Sequence, residues 1–287
     1  MRRFAPAKIN LGLRVLQRRN DGYHDIETVF LRVDWCDEVA VSPAPQLLLT
    51  CSDPSLPTDA SNLCVSAAMR LASRGGVDRG ANICLHKHLP FGAGLGGGSS
   101  DAAATLGLLR ELWDVPIGED DLHEVAAELG ADVPFFLTRG PQLGTGRGDV
   151  LQPLVDASGE VYRFPFRLVI AVPGIHVSTA EAYGGIAADV LGSEKHGMAL
   201  SEIVLQNDPV LWRQHLRNQF EVTVFQRHPT IAALKSRMYE LGAGYAAMSG
   251  SGSAVFGVFE DAASSSAAAA ALGHHPIRVW EGGTYSG

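Results

Sequence analysis

Apolar and polar residues alternate strictly near the start of the chain, in the segment AKINLGLRVL at residues 7–16. In an extended strand, alternate side chains point to opposite faces. The apolar face would carry Ala7, Ile9, Leu11, Leu13 and Val15, and the polar face Lys8, Asn10, Gly12 and Arg14. The pattern therefore predicts a half-buried strand. The Asp21-Gly22 turn signal and the strand-like segment IETVFLRVDW that follows predict that this strand forms a hairpin.

Helical and strand-like segments then follow one another to about residue 150. SNLCVSAAMRLASRGG predicts a helix that Ser61 or Asn62 caps and that the Gly75-Gly76 pair ends. ANICLHKHL predicts a strand. A helix is expected to begin at Ser99 or Ser100 and to continue through DAAATLGLLRELW, and GEDDLHEVAAELGADVPFF predicts another helix, ending near Gly130.

The second half repeats the mixture. FRLVIAVPG predicts a buried strand, followed by a loop, helices around 199–219 and 229–242, the strand SAVFGVF, an alanine-rich helix and a closing strand IRVWEG. We therefore predict an α+β protein with two packed lobes, residues 1–158 and 159–287.

Composition and charge narrow the class of protein. The chain has 287 residues, is 46% hydrophobic and carries a formal net charge of −8, which argues for a globular protein without a nucleic-acid footprint. The four cysteines have the spacing of neither a disulfide framework nor a zinc site. Because no segment looks like a signal peptide or a membrane span, we expect a cytoplasmic protein that does not bind membranes.

The glycine-rich segment PFGAGLGGGSSDAAA at residues 90–104 predicts an anion site. It joins an apparent strand to a helix, whose free N–H groups and positive dipole end would face a phosphate. The run Gly92-x-Gly94-x-x-Gly97 matches a dinucleotide fingerprint, but no βαβ unit with a suitably placed acid follows. A Walker loop is excluded because no Lys-Ser or Lys-Thr pair follows the glycines. A flexible linker is disfavoured by the apolar Leu95 inside the run.

Three segments together resemble the motifs of the GHMP kinases, a family of small-molecule kinases. APAKINLGL at 5–13 resembles the first motif, the glycine segment the second, and MSGSGSAVFG at 248–257 the third. They occur in family order from end to end of the chain. RRNDGYHDIETVF and GADVPFF are similar to the branch of the family whose acceptor alcohol carries a cytidine diphosphate.

The resemblance implies a fold and a reaction. The fold is that of a GHMP kinase, with a ribosomal-S5-like N-terminal lobe, a ferredoxin-like C-terminal lobe and the site in the cleft between them. The reaction is direct transfer of the γ-phosphoryl group of ATP to the acceptor alcohol in the presence of Mg²⁺. Its ATP-binding residues would be Asn62, Pro90, Gly92, Ala93, Gly94, Leu95, Gly96, Gly97, Gly98, Ser99 and Ser100.

The resemblance also assigns roles at the reacting centre. Asp132 would be the general base and Lys8 its electrostatic partner, with Asn10 beside the acceptor. Without the motif, a lone lysine on the polar face of a strand is better explained as a solvated residue. The Mg²⁺ ligands stay open between Ser100 and Asp132.

Further residues are expected to bind the acceptor or to support the site. Tyr23 would offer an aromatic face to the cytosine and His24 a hydrogen bond to its edge. Thr179 and Tyr183 would form a second wall. The third motif follows an Ala/Gly-rich segment and is expected to form a tight turn from a helix end to the strand AVFGVF. Within it, Gly250 and Ser251 would support the phosphate loop from the other lobe. Where relatives carry G-V-G-E, this chain has GRGD at 146–149, and we assign no role to those residues from the sequence.

Two alternatives remain open at this point. The first is another GHMP kinase, acting on homoserine, mevalonate or a sugar. The segment DGYH disfavours it, because such a kinase has no cytosine for this segment to bind. A nucleotide-binding sensor without catalysis would have no need of both the lysine and the aspartate. Zinc and serine hydrolysis are disfavoured, because HEVAA lacks the second histidine of H-E-x-x-H and no G-x-S-x-G elbow is found.

Overall fold

A computed structural model describes residues 1–186, 198–273 and 277–285. The chain divides into two compact units, each assembled from separate segments. Unit 1 comprises Met1–Ala7, Trp35–Phe91 and Gly96–Arg139, and unit 2 comprises Lys8–Asp34, Gly92–Leu95 and Gly140–Gly287. Both contain helices and sheets, which confirms the predicted α+β class. The lobe boundary near residue 158 stays a prediction.

The first two strands form the predicted hairpin. Strand β1 (Arg2–Arg18) pairs with β2 (His24–Ala44). The prediction that β1 is half-buried is wrong, because its polar side chains are buried as deeply as its apolar ones. Lys8 is 4% exposed, Asn10 2% and Arg14 5%. They are buried because partners inside unit 2 satisfy them: Arg14, for example, pairs with Glu27 at 3.2 Å and donates to the Met198 carbonyl.

Unit 1 packs helices against a small sheet. Strand β4 pairs antiparallel with the second half of β2 and parallel with β3. The helices and β4 bury one apolar cluster that includes Leu71, Ile83, Leu106 and Val125. The elements are β3 (Leu48–Cys51), α1 (Leu63–Gly75), β4 (Gly80–His86), α2 (Gly97–Trp113), α3 (Glu119–Leu129) and a 3₁₀ turn (Pro134–Leu137).

The ends of two unit 1 helices bear directly on the predictions. Asn62, one of the two predicted caps, caps α1 by accepting from the Cys64 N–H at 3.0 Å, and Gly76 ends the helix with φ 63°. Helix α2 begins at Gly97, two residues before the predicted start. The reason is that Gly96 adopts a left-handed conformation, φ 70°, which lets the chain turn into the helix earlier.

Unit 2 contains a four-stranded sheet in the order β10-β7-β9-β8, with all its neighbours antiparallel. Strands β5 and β6 form a hairpin that pairs with the first half of β2. Its apolar core includes Val169, Val224, Ile231 and Phe259. The elements are β5 (Gln142–Thr145), β6 (Val150–Pro153), β7 (Arg167–Val172), α4 (Thr179–Tyr183), α5 (Leu200–Leu205), α6 (Pro209–His215), α7 (Phe220–Arg227), α8 (Pro229–Glu240), β8 (Tyr245–Met248), β9 (Val255–Phe259), α9 (Ala262–Leu272) and β10 (Arg278–Gly282).

Three predictions in this half were wrong in detail. The expected helix at 199–219 is two short helices, α5 and α6, since Asp208 and Pro209 start a new helix. The loop after β7 contains the short helix α4, which Ser178 caps, while residues 187–197 of that loop lie outside the described residues. The third motif joins two strands, β8 and β9, and does not follow a helix end.

Candidate active site

A chain of hydrogen bonds leads inward from Lys8 in unit 2. The Lys8 Nζ donates to Asn10 Oδ1 at 2.7 Å, the Asn10 amide donates to Thr28 Oγ1 at 3.0 Å, and that hydroxyl donates to the Gly12 carbonyl at 2.6 Å. The Lys8 ammonium also lies 5.4 Å from the centre of the Phe30 ring. These contacts fix the position of the buried Lys8 ammonium group. Electrostatic stabilisation of a reacting group requires a charge that is fixed in this way.

Segments of all three motifs lie against one another inside unit 2. A Cβ added to Gly250 would lie 3.2 Å from Asn10 Oδ1, 3.4 Å from Lys8 Nζ and 3.4 Å from the Gly94 carbonyl oxygen. The backbone of Lys8 donates to the Leu95 carbonyl at 2.8 Å. The first, second and third motifs therefore approach one another closely at this point, and a side chain at position 250, where φ is 53°, would be strained.

Two side chains to which no role was assigned from the sequence hold the third motif in place. Ser249 donates to the Gly94 carbonyl at 2.9 Å. Asn218, only 1% exposed, donates to the carbonyls of Met248 and Gly250 at 2.8 and 2.7 Å. No sequence signal identifies a single buried asparagine, because its role depends on which carbonyls the fold brings to it.

The start of α2 in unit 1 has the properties of an anion site. The cap residue Gly96 offers no side chain, and no acidic residue lies in the first turn, so the first N–H groups of a 17-residue helix are left for a ligand. Ser100 is 1% exposed, and among the described residues its Oγ has no hydrogen-bond partner. A buried hydroxyl oxygen without a partner at the N-terminal end of a helix suits a Mg²⁺ ligand or a phosphate donor.

A buried charged cluster lies beside this helix start in unit 1. Lys87 Nζ lies 2.7 Å from Asp101 Oδ2 and also pairs with Asp37. The Nζ of Lys87 would lie 3.4 Å from a Cβ added to Gly97, so the ammonium is next to the first residue of α2. Burial, and then the Asp37 charge, raise the pKa of Asp101 to about 7 although Lys87 opposes the shift. Burial alone would lower the pKa of Lys87, but the two carboxylates outweigh it and raise that pKa.

Aromatic side chains cluster around the hairpin in unit 2. The rings of His24 and Tyr183 stack with centroids 4.5 Å apart and planes 14° apart, and Phe220 packs edge-on against Tyr183 at 4.7 Å. Burial, and then the charge of Arg18, lower the pKa of His24, so its imidazole is neutral at pH 7. Tyr23 is 58% exposed. A neutral imidazole edge beside exposed aromatic surface is suited to a nucleobase.

The remaining predicted site residues have structural surroundings of their own. Thr179 begins α4 and its hydroxyl lies 3.4 Å from that of Ser251. In the glycine loop, Ala93 and Leu95 are buried and Pro90 is partly buried. Asp132 is partly buried in unit 1, between α3 and the 3₁₀ turn.

Asn62 uses its side chain to cap α1 and donates to the Pro57 carbonyl at 2.8 Å. Both its oxygen and its nitrogen therefore already have partners within unit 1. Its contact with the nucleotide, like the roles of the other predicted site residues, stays a prediction.

Comparison with known proteins gives consistent matches over the whole chain. The family model for the GHMP kinases N terminal domain matches residues 62–140, and that for the GHMP kinases C terminal region matches residues 199–277. A 4-diphosphocytidyl-2-C-methyl-D-erythritol kinase of Salinibacter ruber is 50% identical over 96% of this chain and 95% of its own length.

Two solved structures complete the comparison. A crystal structure of 4-(cytidine 5'-diphospho)-2C-methyl-D-erythritol kinase is 35% identical with a TM-score of 0.82, covering 100% of both chains. A homoserine kinase from Cytophaga hutchinsonii covers 100% of this chain and 95% of its own at a TM-score of 0.77, but at 20% identity this likeness shows the fold alone.

Proposed function

The chain belongs to the GHMP kinase family, and on that premise we propose that it phosphorylates 4-diphosphocytidyl-2-C-methyl-D-erythritol. ATP donates its γ-phosphoryl group to the 2-hydroxyl of the methylerythritol moiety, and the products are the 2-phosphate and ADP. The reaction serves the non-mevalonate synthesis of isoprenoid precursors. Support comes from relatives of that name at 35% identity and above over nearly the whole chain.

The observation that carries the kinase proposal is the close approach of Gly250 to Lys8, Asn10 and Gly94 in unit 2, where a Cβ at Gly250 would lie 3.2–3.4 Å from all three. This close approach brings the three motifs together at the buried Lys8 ammonium, which Asn10 holds in position. Phosphoryl transfer requires of a protein mainly positioning and charge stabilisation, and a buried ammonium beside a phosphate loop is suited to both.

In the proposed step, the 2-hydroxyl oxygen attacks the γ-phosphorus while its proton passes to the Asp132 carboxylate. The new O–P bond forms as the bond from phosphorus to the bridging oxygen breaks, and ADP leaves. Lys8 stabilises the developing negative charge, and Asn10 orients the acceptor. The N–H groups at the start of α2 and the backbone of residues 92–98 hold the phosphates of ATP.

Mg²⁺ is part of the proposal. When bound, the ion would supply positive charge to offset that of the phosphates. Within the described residues no group of three or more His, Cys, Asp or Glu side chains is arranged to hold a metal. Ser100, with its buried unpartnered Oγ, is the better of the two proposed protein ligands, and Asp132 is the other.

The acceptor end of the site is proposed to recognise the cytidine. Tyr23 stacks on the base, and the neutral His24 ring meets its hydrogen-bonding edge. Tyr183 and Thr179 complete this wall. The proposed partners are thus two small molecules, with no nucleic acid, and the proposed location is the cytoplasm. No helix in the described ranges is both long and apolar enough to cross a bilayer.

The test is ADP release from Mg-ATP with three acceptors: 4-diphosphocytidyl-2-C-methyl-D-erythritol, homoserine and mevalonate. The proposal predicts turnover with the cytidyl acceptor alone. Turnover with homoserine or mevalonate instead would keep the kinase but reject the proposed substrate. Folded protein that binds ATP and turns over none of the three would be a nucleotide sensor.

A further inference from the structure

An arginine that the sequence left without a role lies on the ring of Tyr23. The guanidinium carbon of Arg147 is 5.2 Å from the centre of that ring, within the range of a cation–π contact. Tyr23 is the residue before His24, whose own ring stacks on Tyr183. Tyr23 and His24, which are consecutive in the hairpin, thus each pack against another side chain. The partner of Tyr23 is an arginine, which carries a permanent positive charge.

Contacts with strand β2, within unit 2, hold the turn that carries Arg147 in place. Its flanking residues Gly146 and Gly148 have φ of 64° and 94°. The Gly146 carbonyl accepts from the Ile26 N–H at 2.7 Å, which anchors the turn to β2. A Cβ at Gly148 would lie 3.3 Å from Ile26 Cδ1, so the turn packs closely on the hairpin.

Asp149 fixes the orientation of the guanidinium. Both Nε and Nη2 of Arg147 donate to Asp149 Oδ2, at 2.9 and 2.7 Å, and the Arg147 backbone N–H donates to Oδ1 at 3.1 Å. Within the part of the chain that the structure describes, Nη1 has no hydrogen-bond partner. The arginine side chain is 35% exposed and the aspartate side chain 18%. An oriented guanidinium with one open edge is well suited to a phosphate oxygen.

From this geometry we propose that Arg147 binds the diphosphate of the cytidyl acceptor while it packs on Tyr23. The inference rests on the proposed function, since it requires the base to occupy the Tyr23 ring. Because Arg147 lies over one face of the Tyr23 ring, the base would stack on the other face, and the diphosphate attached to it would come close to the guanidinium at the edge of the ring. Arg147 is therefore a specificity-determining residue for acceptors that carry a nucleoside diphosphate.

The experiment compares the binding of cytidine and of CDP to the full-length protein and to Arg147→Met by calorimetry. Methionine keeps an apolar chain over the ring and removes the charge. Because hydrogen bonds to charged groups are the stronger ones, we expect CDP to lose about 10- to 100-fold in affinity. Cytidine should bind within about threefold of wild type, which also shows that the variant is folded. Arg147→Lys, which restores the charge, should recover part of the CDP affinity.

Arg19→Met is the matched control. It removes an equal charge from the same hairpin, where Arg19 pairs with Asp21 and Asp25 and does not pack on Tyr23. It should leave the ratio of CDP to cytidine affinity unchanged. An equal loss of CDP and cytidine affinity in Arg147→Met would overturn the diphosphate contact, and so would an equal loss of CDP affinity in Arg19→Met. If wild-type protein binds neither ligand and does not turn over the cytidyl acceptor, the proposed function fails first and the inference fails with it.

Discussion

Replacement of Gly94 by alanine tests whether the glycine loop is fixed against the third motif. Gly94 has φ 75°, and a Cβ there would lie 2.1 Å from the Ser249 carbonyl oxygen and 3.0 Å from the Gly252 nitrogen. The first distance is far below an ordinary contact, and the neighbour is backbone rather than a flexible side chain. The carbonyl would have to retreat by about 1 Å or more to reach contact distance.

Two costs add in this variant. A side chain in the left-handed region costs about 1–2 kcal/mol. Forcing extra volume into a packed site costs about 1–3 kcal/mol. We therefore expect the free energy of unfolding of Gly94→Ala to fall by about 2–5 kcal/mol, and KM for ATP to rise because the loop is displaced.

Gly98→Ala is the matched control in the same loop. Gly98 lies within α2, and a Cβ there would meet only Leu63 Cδ1, at 3.7 Å. Alanine is favoured over glycine by about 0.5–1 kcal/mol in the middle of a helix, and Gly98 lies in the first turn, so this variant should be at least as stable as wild type. Urea unfolding of the two variants beside wild type is the assay. If Gly94→Ala unfolds at the wild-type free energy, the close approach of the two loops is refuted.

Three further predictions concern the reacting centre, the base pocket and the third motif. Asp132→Asn should lower kcat by about 10²- to 10⁴-fold with little change in KM for ATP, and steady-state kinetics with wild-type kcat would reject it as the base. Because burial, and then the Arg18 charge, lower the pKa of His24, its imidazole gains a proton only at a pH below the ordinary histidine range, and KM for the cytidyl acceptor should rise there as the pH falls. A pH profile of His24→Gln should lack the rise, and an unchanged profile would assign it to another group. Asn218→Leu leaves two buried carbonyls without a donor, so urea unfolding should show a loss of about 2–4 kcal/mol, and a loss below about 0.5 kcal/mol would contradict this role.

Local sequence patterns were sufficient to predict those elements whose ends are set by residues close to them in the chain. The first helix was predicted with its cap and its end, because an asparagine that accepts from the N–H two residues on and a glycine with positive φ act within a few residues. The hairpin of β1 and β2 was predicted for the same reason.

Predictions failed where distant residues decide the outcome. Alternation in β1 separated the two faces correctly but gave no information on what covers the polar face. That polar face is buried by partners from elsewhere in the chain: Glu27 and Thr28 of the next strand and the carbonyl of Met198. The segment Tyr245–Met248 is rich in alanine, a good helix former, yet it is a strand because it pairs with β9 and is fully buried.

The candidate site shows the same division. The glycine loop, Lys8 and Asp132 could be proposed from the sequence because they belong to contiguous motifs, and their roles stay predictions. Asn218 and the buried cluster around Lys87 were missed, because no local pattern tells which polar groups a fold will bury together. Arg147 was noticed only as a departure from the family pattern, and its contact with Tyr23 becomes visible only in the folded chain.

The central claim is that this kinase selects its acceptor by the cytidine. The most direct measurement compares kcat/KM for 4-diphosphocytidyl-2-C-methyl-D-erythritol with kcat/KM for 2-C-methyl-D-erythritol 4-phosphate, which offers the same alcohol without the nucleotide. Stacking and edge contacts to a base are worth about 1–3 kcal/mol, and the diphosphate contact adds to them, so the account predicts a ratio of about 10² or more. Equal values for the two acceptors would contradict it.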